Sequence, residues 1–123
     1  MIEETDQFTF PRSVRLLSQN DYQQVFKNPI RSSDQYFTIL AIINNGGLAR
    51  LGLAIAKKSI PKATQRNRIK RMIRESFRHQ QRNMISIDLV VLAKKGLDRI
   101  TNEEMQVSLT KHWAYLVKKC EKS

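Results

Sequence analysis

At 123 residues the chain is one domain's worth of protein, and its 41% hydrophobic and 27% charged residues are ordinary for a soluble globular fold. Its longest apolar run, Phe37 to Ile43, is too short to cross a bilayer, and the single Cys120 admits neither an internal disulfide nor a cysteine zinc site. The charge is the outlier: 22 Lys and Arg against 11 Asp and Glu leave +11, a balance that calls for a polyanion or an acidic membrane surface as partner.

In chain order, Glu3, Glu4 and Asp6 carry the wrong sign for a secretory signal, and with one cysteine they predict a cytoplasmic setting. Ser18 followed by Asp21 reads as a capping box opening a helix. Tyr22, Val25 and Phe26 are its apolar stripe and Asn28-Pro29 its end. Phe37–Ile43 reads as a buried strand, Asn44-Asn45-Gly46-Gly47 as a turn, and Leu51–Ala56 as a second strand, together a hairpin. A basic helix follows from about Gln65 to Arg82, with Asn83 as its stop. Ile87–Lys94 is another strand, closed by Gly96. Thr101 and Glu104 cap a last helix running to about Glu121, with Met105, Leu109, Trp113, Leu116 and Val117 as its apolar set. The order α-β-β-α-β-α predicts an α/β layer structure, a sheet with helices packed on it.

The excess charge is local. Residues 57–82 hold ten basic residues against Glu75 alone, while residues 1–56 are neutral. At 100° per residue Ile69, Met72, Ile73, Ser76 and Phe77 form one stripe of the basic helix. Asn67, Lys70, Arg71, Arg74 and Arg78 fill the adjoining arc, with Glu75 beyond them. Arg66 and Arg68 sit in the first turn, where the helix dipole disfavours cations unless an anion arrives. Arg, rather than Lys, is the residue for bidentate phosphate contacts. This helix is therefore expected to bind a polyanion.

The same residues carry a family resemblance. Lys57-Lys58, then Arg66-Asn67-Arg68-Ile69-Lys70-Arg71 and Arg74, resembles the K-K-x(6–7)-R-N-R-I-K-R-x-x-R signature of the bacterial ribonuclease P protein subunit. Phe10-Pro11-Arg12 with Arg15-Leu16-Leu17, Arg50–Ala56, and Asp88–Gly96 are similar to that family in order and spacing.

The resemblance implies an α+β sandwich with a mixed sheet of about four strands, a left-handed β-α-β crossover, and one RNA-binding domain over 1–123 with 1–8 flexible. It also implies a subunit of an endoribonuclease whose chemistry resides in a partner RNA. That RNA uses Mg2+ to remove the 5′ leader of precursor tRNA, and the protein itself holds no catalytic residue, metal or tight cofactor. Lys57, Lys58, Lys62, Arg66, Asn67, Arg68, Lys70, Arg71, Arg74 and Arg78 would contact RNA. A cleft of Tyr22, Phe26, Thr38, Leu40, Ala54 and Ala56 would hold the leader. Neither DNA nor membrane is implied as a partner.

The cleft also has a reading from the residues. Tyr22 and Phe26 lie one helical turn apart, and aromatic rings grip single strands by stacking. Gly52, Ala54 and Ala56 alternate with Leu51, Leu53 and Ile55, which leaves one small-residue face suited to a groove floor. Some relatives carry an aromatic where Leu40 stands, which predicts weaker stacking here. His79 and His112 read as two surface histidines on different helices, Asp88 as a lone carboxylate, and Cys120 as a bystander. A general RNA-binding or ribosome-associated protein without a processing role is the alternative. A DNA-reading helix module fits less well, because strands flank the basic helix on both sides.

Overall fold

The computed structural model describes Arg15, residues 18–81 and residues 84–121. The expected flexible stretch 1–8, the Phe10-Pro11-Arg12 block and the helix stop at Asn83 lie outside the described residues. Helix α1 spans Gln19–Lys27, strand β1 Ile30–Ser33, β2 Phe37–Leu48, β3 Arg50–Ala54, helix α2 Ala63–Gln80, strand β4 Ile85–Ala93 and helix α3 Asn102–Glu121. The sheet order is β1-β2-β4-β3, with β3 parallel to β4 and the other pairs antiparallel. This is the mixed four-stranded α+β arrangement expected, with β1 as an additional strand.

Both expected capping boxes form. Ser18 Oγ accepts from the Asp21 N–H at 3.0 Å, and Asp21 Oδ2 accepts from the Ser18 N–H at 3.3 Å. Thr101 and Glu104 repeat the exchange ahead of α3 at 3.2 and 3.1 Å. At the end of β4, Gly96 adopts φ +93°, a left-handed turn that a side chain would strain.

The expected hairpin does not form. Leu89, Val90 and Val91 are buried, so β4 is covered on both faces and must be an interior strand. It inserts between β2 and β3, and Asn44–Gly47 becomes an irregularity within β2, opposite Ser86 with φ +57°. Asn44 organises that irregularity: its Oδ1 accepts from the Gly47 N–H and its Nδ2 donates to Leu48 O. The actual hairpin joins β1 to β2, and Asp34 Oδ1 closes its turn by accepting from the N–H groups of Tyr36 and Phe37 at 2.8 and 2.9 Å.

Helices α2 and α3 cover one face of the sheet over Phe37, Ile39, Leu51, Leu89 and Val91. Ile69, Ile73, Ser76 and Phe77 are the buried side of α2, and Trp113 of α3 packs edge-on to Phe77 while donating to Ser76 Oγ at 2.7 Å. Val25 of α1 covers the opposite face over Leu40 and Val90. Hydrophobic faces thus direct all three helices onto the sheet.

His112 corrects the surface reading: it is buried at the α3–β1 contact, with Nδ1 2.6 Å from Ser32 Oγ. Its Nε2 lies 3.1 Å from Asp34 Oδ2, near enough for a charge contact but off line for a hydrogen bond. Ser108 of α3 donates to the same carboxylate oxygen at 2.6 Å. Burial alone would raise the Asp34 pKa, but the bonds from Ser108, Phe37 and Tyr36 and the neighbouring His112 outweigh it, taking the pKa from 3.8 to about 2. A carboxylate depressed in the fold stabilises above its unfolded pKa and loses that contribution on acidification. Stability should therefore fall as pH drops from about 4 toward 2, and Asp34→Asn should flatten that part of the profile. Urea midpoints measured across this range check it.

Candidate nucleic-acid interface

The approach to α2 is a tight turn in which Ala56 O accepts from the N–H groups of Ser59 and Ile60. Lys57 and Lys58 are exposed on this turn, and Lys62 is exposed at the helix cap. The Lys62 side chain caps nothing, and the first turn of α2 holds no carboxylate. The positive end of the helix is thus left without an internal anion.

The arginines of the motif divide. Arg66 Nη1 donates to the carbonyls of Ile60 and Pro61 at 2.9 and 2.8 Å, bracing the preceding turn. Arg68 reaches Gln65 and Asn102 side chains and the carbonyls of Asp98 and Ile100, tying α2 to the start of α3. Its guanidinium turns toward the protein, so Arg68 is first a brace. Arg78 pairs with Glu75 at 2.9 Å, so the arc is not wholly free of carboxylate. Arg74 is half-buried and engages another group of the protein. Asn67 and Arg71 are exposed and Lys70 is half-exposed, and among the described residues neither Lys70 nor Arg71 has an ion pair. With Lys57, Lys58 and Lys62, these residues make the outward cationic surface.

The α1 face of the sheet holds the expected cleft residues in rows set by register. Arg31, Leu40, Val90 and Gly52 form one row, and Ser33, Thr38, Leu92 and Ala54 the next. Val25 closes the first row, so Leu40, only 4% exposed, cannot meet a leader; this overturns its expected role. The second row stays half-open, with Thr38, Leu92 and Ala54 partly exposed and Thr38 Oγ1 2.9 Å from Ser33 Oγ. Thr38 and Ala54 are therefore not on neighbouring strands, as the hairpin reading required. Leu92 and Ser33 complete the floor, and their signal appears only once β4 is placed between β2 and β3. Ala56 is exposed beyond the end of β3.

Tyr22 and Phe26 differ in availability. The Tyr22 hydroxyl accepts from the Leu53 N–H at 3.1 Å, and its ring lies across Gly52, where a Cβ would stand 2.8 Å from it. Phe26 is 47% exposed and is the accessible ring of the pair. At the far end of this face Arg50 grips Asp88 at 2.7 and 3.0 Å, and Asn44 donates to the same carboxylate at 2.8 Å. Asp88 is thus an ion-pair partner in the fold. Bonding to Asp88 raises the Arg50 pKa against burial, with Asp21 adding to the effect. His79 is exposed and lies 3.9 Å from Glu75. Cys120 is buried at the end of α3, where burial raises its thiol pKa. Among the described residues no cluster of three His, Cys, Asp or Glu side chains is placed to hold a metal ion.

Comparison with known proteins gives a consistent family. The family model described as Ribonuclease P matches residues 10–117. A "Ribonuclease P protein component" from Pseudoalteromonas atlantica is 45% identical over 115 residues, covering 94% of this chain and 96% of that protein. The fold superposes on a Thermotoga maritima RNase P protein with TM-score 0.72 at 29% identity, covering 85% of this chain and 96% of that one. A Staphylococcus aureus RNase P protein mutant with defective mRNA degradation activity gives TM-score 0.78 at 25% identity, with 98% of each chain covered.

The braces and the outward residues should separate in stability measurements. Arg68→Ala should destabilise the fold by about 2 kcal/mol, because several charge-assisted bonds are lost together. Arg71→Ala should stay within about 0.5 kcal/mol of wild type. Gly52→Ala should lose about 1–3 kcal/mol by driving Tyr22 off β3. Denaturant melts of the three variants check these values.

Proposed function

This chain belongs to the ribonuclease P protein family, and from that membership we infer how its surfaces serve the reaction. It is the protein component of an endoribonuclease holoenzyme that matures tRNA 5′ ends, and it works with a catalytic RNA. In our reading Asn67, Lys70 and Arg71, with Lys57, Lys58 and Lys62, meet the phosphate backbone of that RNA. Arg66 and Arg68 hold the turn and the helix seat that present them. The half-open row Ser33–Thr38–Leu92–Ala54 takes the single-stranded leader of precursor tRNA, and Phe26 stacks on a base.

The observation that carries the reading is that Lys70 and Arg71 have no ion pair among the described residues, on a helix seated firmly by its other face. Nucleic-acid phosphate supplies the missing anions. The magnesium of the reaction belongs in this reading to the RNA partner. In our reading the reaction takes place on precursor tRNA in the cytoplasm.

Reconstitution at low magnesium tests the assignment. Adding the protein to the catalytic RNA should restore leader cleavage, whereas cleavage by the protein alone would contradict the division of labour. Lys70→Ala/Arg71→Ala should reduce the slope of log K against log salt by about 1.4 to 1.8, two phosphate contacts' worth. Phe26→Ala should weaken precursor tRNA by about 1–3 kcal/mol and leave mature tRNA unchanged. An equal loss for both would make the ring structural.

A further inference from the structure

We propose that the outward face of α3, formed by Lys111, Tyr115, Lys118 and Lys119, is a second single-stranded RNA contact, separate from α2. The proposal rests on the RNA-partner reading above and extends it to a face the family motif does not reach. All four residues are exposed. At 100° per residue the three lysines fall within about 60° of Tyr115, and Lys111 to Lys119 spans about 12 Å of helix axis. Glu121, the carboxylate in this half of the helix, lies about 120° from Tyr115, though it shares a groove with Lys118 at the edge of the stripe.

Tyr115 is 45% exposed even with Lys119 Nζ 5.6 Å from its ring centroid. An aromatic ring left in water among cations is the pairing that grips single strands, by base stacking and phosphate attraction together. The helix dipole accounts for Lys118 and Lys119 in the last turn. It gives no reason for an exposed tyrosine between cations, and Lys111 further in answers the carboxylates of a neighbouring groove rather than the dipole.

Position makes this a separate surface. The α3 residues that hydrogen-bond to α2 are Asn102 and Trp113, about 140° to 160° around the helix from Tyr115. Ser108 and His112, on the nearer flank, meet Asp34 and Ser32 of the β1 hairpin. The Lys111–Tyr115 part of the stripe therefore borders β1, whereas Lys118 at the other edge shares a groove with Gln80 at the C-terminal end of α2, far along that helix from Lys70 and Arg71. The carboxylates of Asp34, Glu103 and Glu104 share a groove with Lys111 toward the start of α3 and mark the acidic end of the stripe. A single strand running along it would be held from Lys111 toward the C-terminus.

The test uses the full-length protein and a short labelled oligouridylate carrying 4-thiouridine. Crosslinks should map to the tryptic peptide His112–Lys118 as well as to α2 and the cleft beside Phe26. Tyr115→Ala should remove the α3 crosslink and weaken binding about tenfold, while Tyr115→Phe retains both. Replacing Lys111, Lys118 and Lys119 by Ala should lower the salt slope by about 2. Crosslinks confined to α2 and the cleft, with Tyr115→Ala binding as wild type, would overturn the proposal. So would unchanged oligouridylate binding combined with Tyr115-dependent capture by phosphatidylserine vesicles, which would give the face to a membrane. The Lys70→Ala/Arg71→Ala protein separates the two readings: if it also binds as wild type, the α2 assignment fails, whatever the α3 result.

Discussion

A strand that is apolar on both faces needs a neighbour on each side and a layer above and below. β4 is that strand, with Leu89 and Val91 turned to α2 and α3 and Val90 to α1. Its demand for two neighbours separates β2 from β3, and it makes β3 a parallel partner. Parallel partners need a long connection, and α2 is the connection. The basic helix is thus placed by hydrophobic burial, and its cationic side is what burial leaves over.

Placing arginines at the positive end of a helix is unfavourable without acceptors nearby. The fold supplies neutral ones: carbonyls of Ile60 and Pro61 for Arg66, and of Asp98 and Ile100 for Arg68. Carbonyl oxygens satisfy the guanidinium donors without cancelling their charge. The motif can therefore stiffen the turn and the α2–α3 contact while keeping its positive potential. A carboxylate in those places would hold the arginines as well, but it would neutralise the positive potential at this end of the helix. Arg78, bound to Glu75, shows that alternative at the other end of the helix.

The second face follows from how far α1 reaches. Nine residues are enough for Val25 to close the Leu40–Val90 row but not the row of Thr38, Leu92 and Ala54. Tyr22 sets the closeness of approach, since its ring needs the bare backbone of Gly52 and its hydroxyl occupies the Leu53 N–H. A half-open row beside an exposed Phe26 is the residue of that geometry. The same logic of partial cover leaves Tyr115 in water on α3.

Local chemistry determined what could be read directly from the chain. Both capping boxes, the buried stripe of α2, the apolar set of α3 and the concentration of charge in 57–82 depend on residues a few positions apart, where periodicity is legible. Pairing across the sheet was not legible in this way. Asn44–Gly47 has the composition of a hairpin turn, yet the two-sided burial of β4 overrode it. β1, a four-residue edge strand with two serines, has no alternation strong enough to announce it. Leu40 and Thr38 share a face by parity, but only the seat of Val25 decided which of them is covered. The inward turn of Arg68 and the burial of His112 likewise arise from partners 30 to 80 residues away, Asp98 and Ser32. Spacing along one helix says which side a charge occupies; whether that side meets water or a carbonyl is decided by what the tertiary fold packs against it.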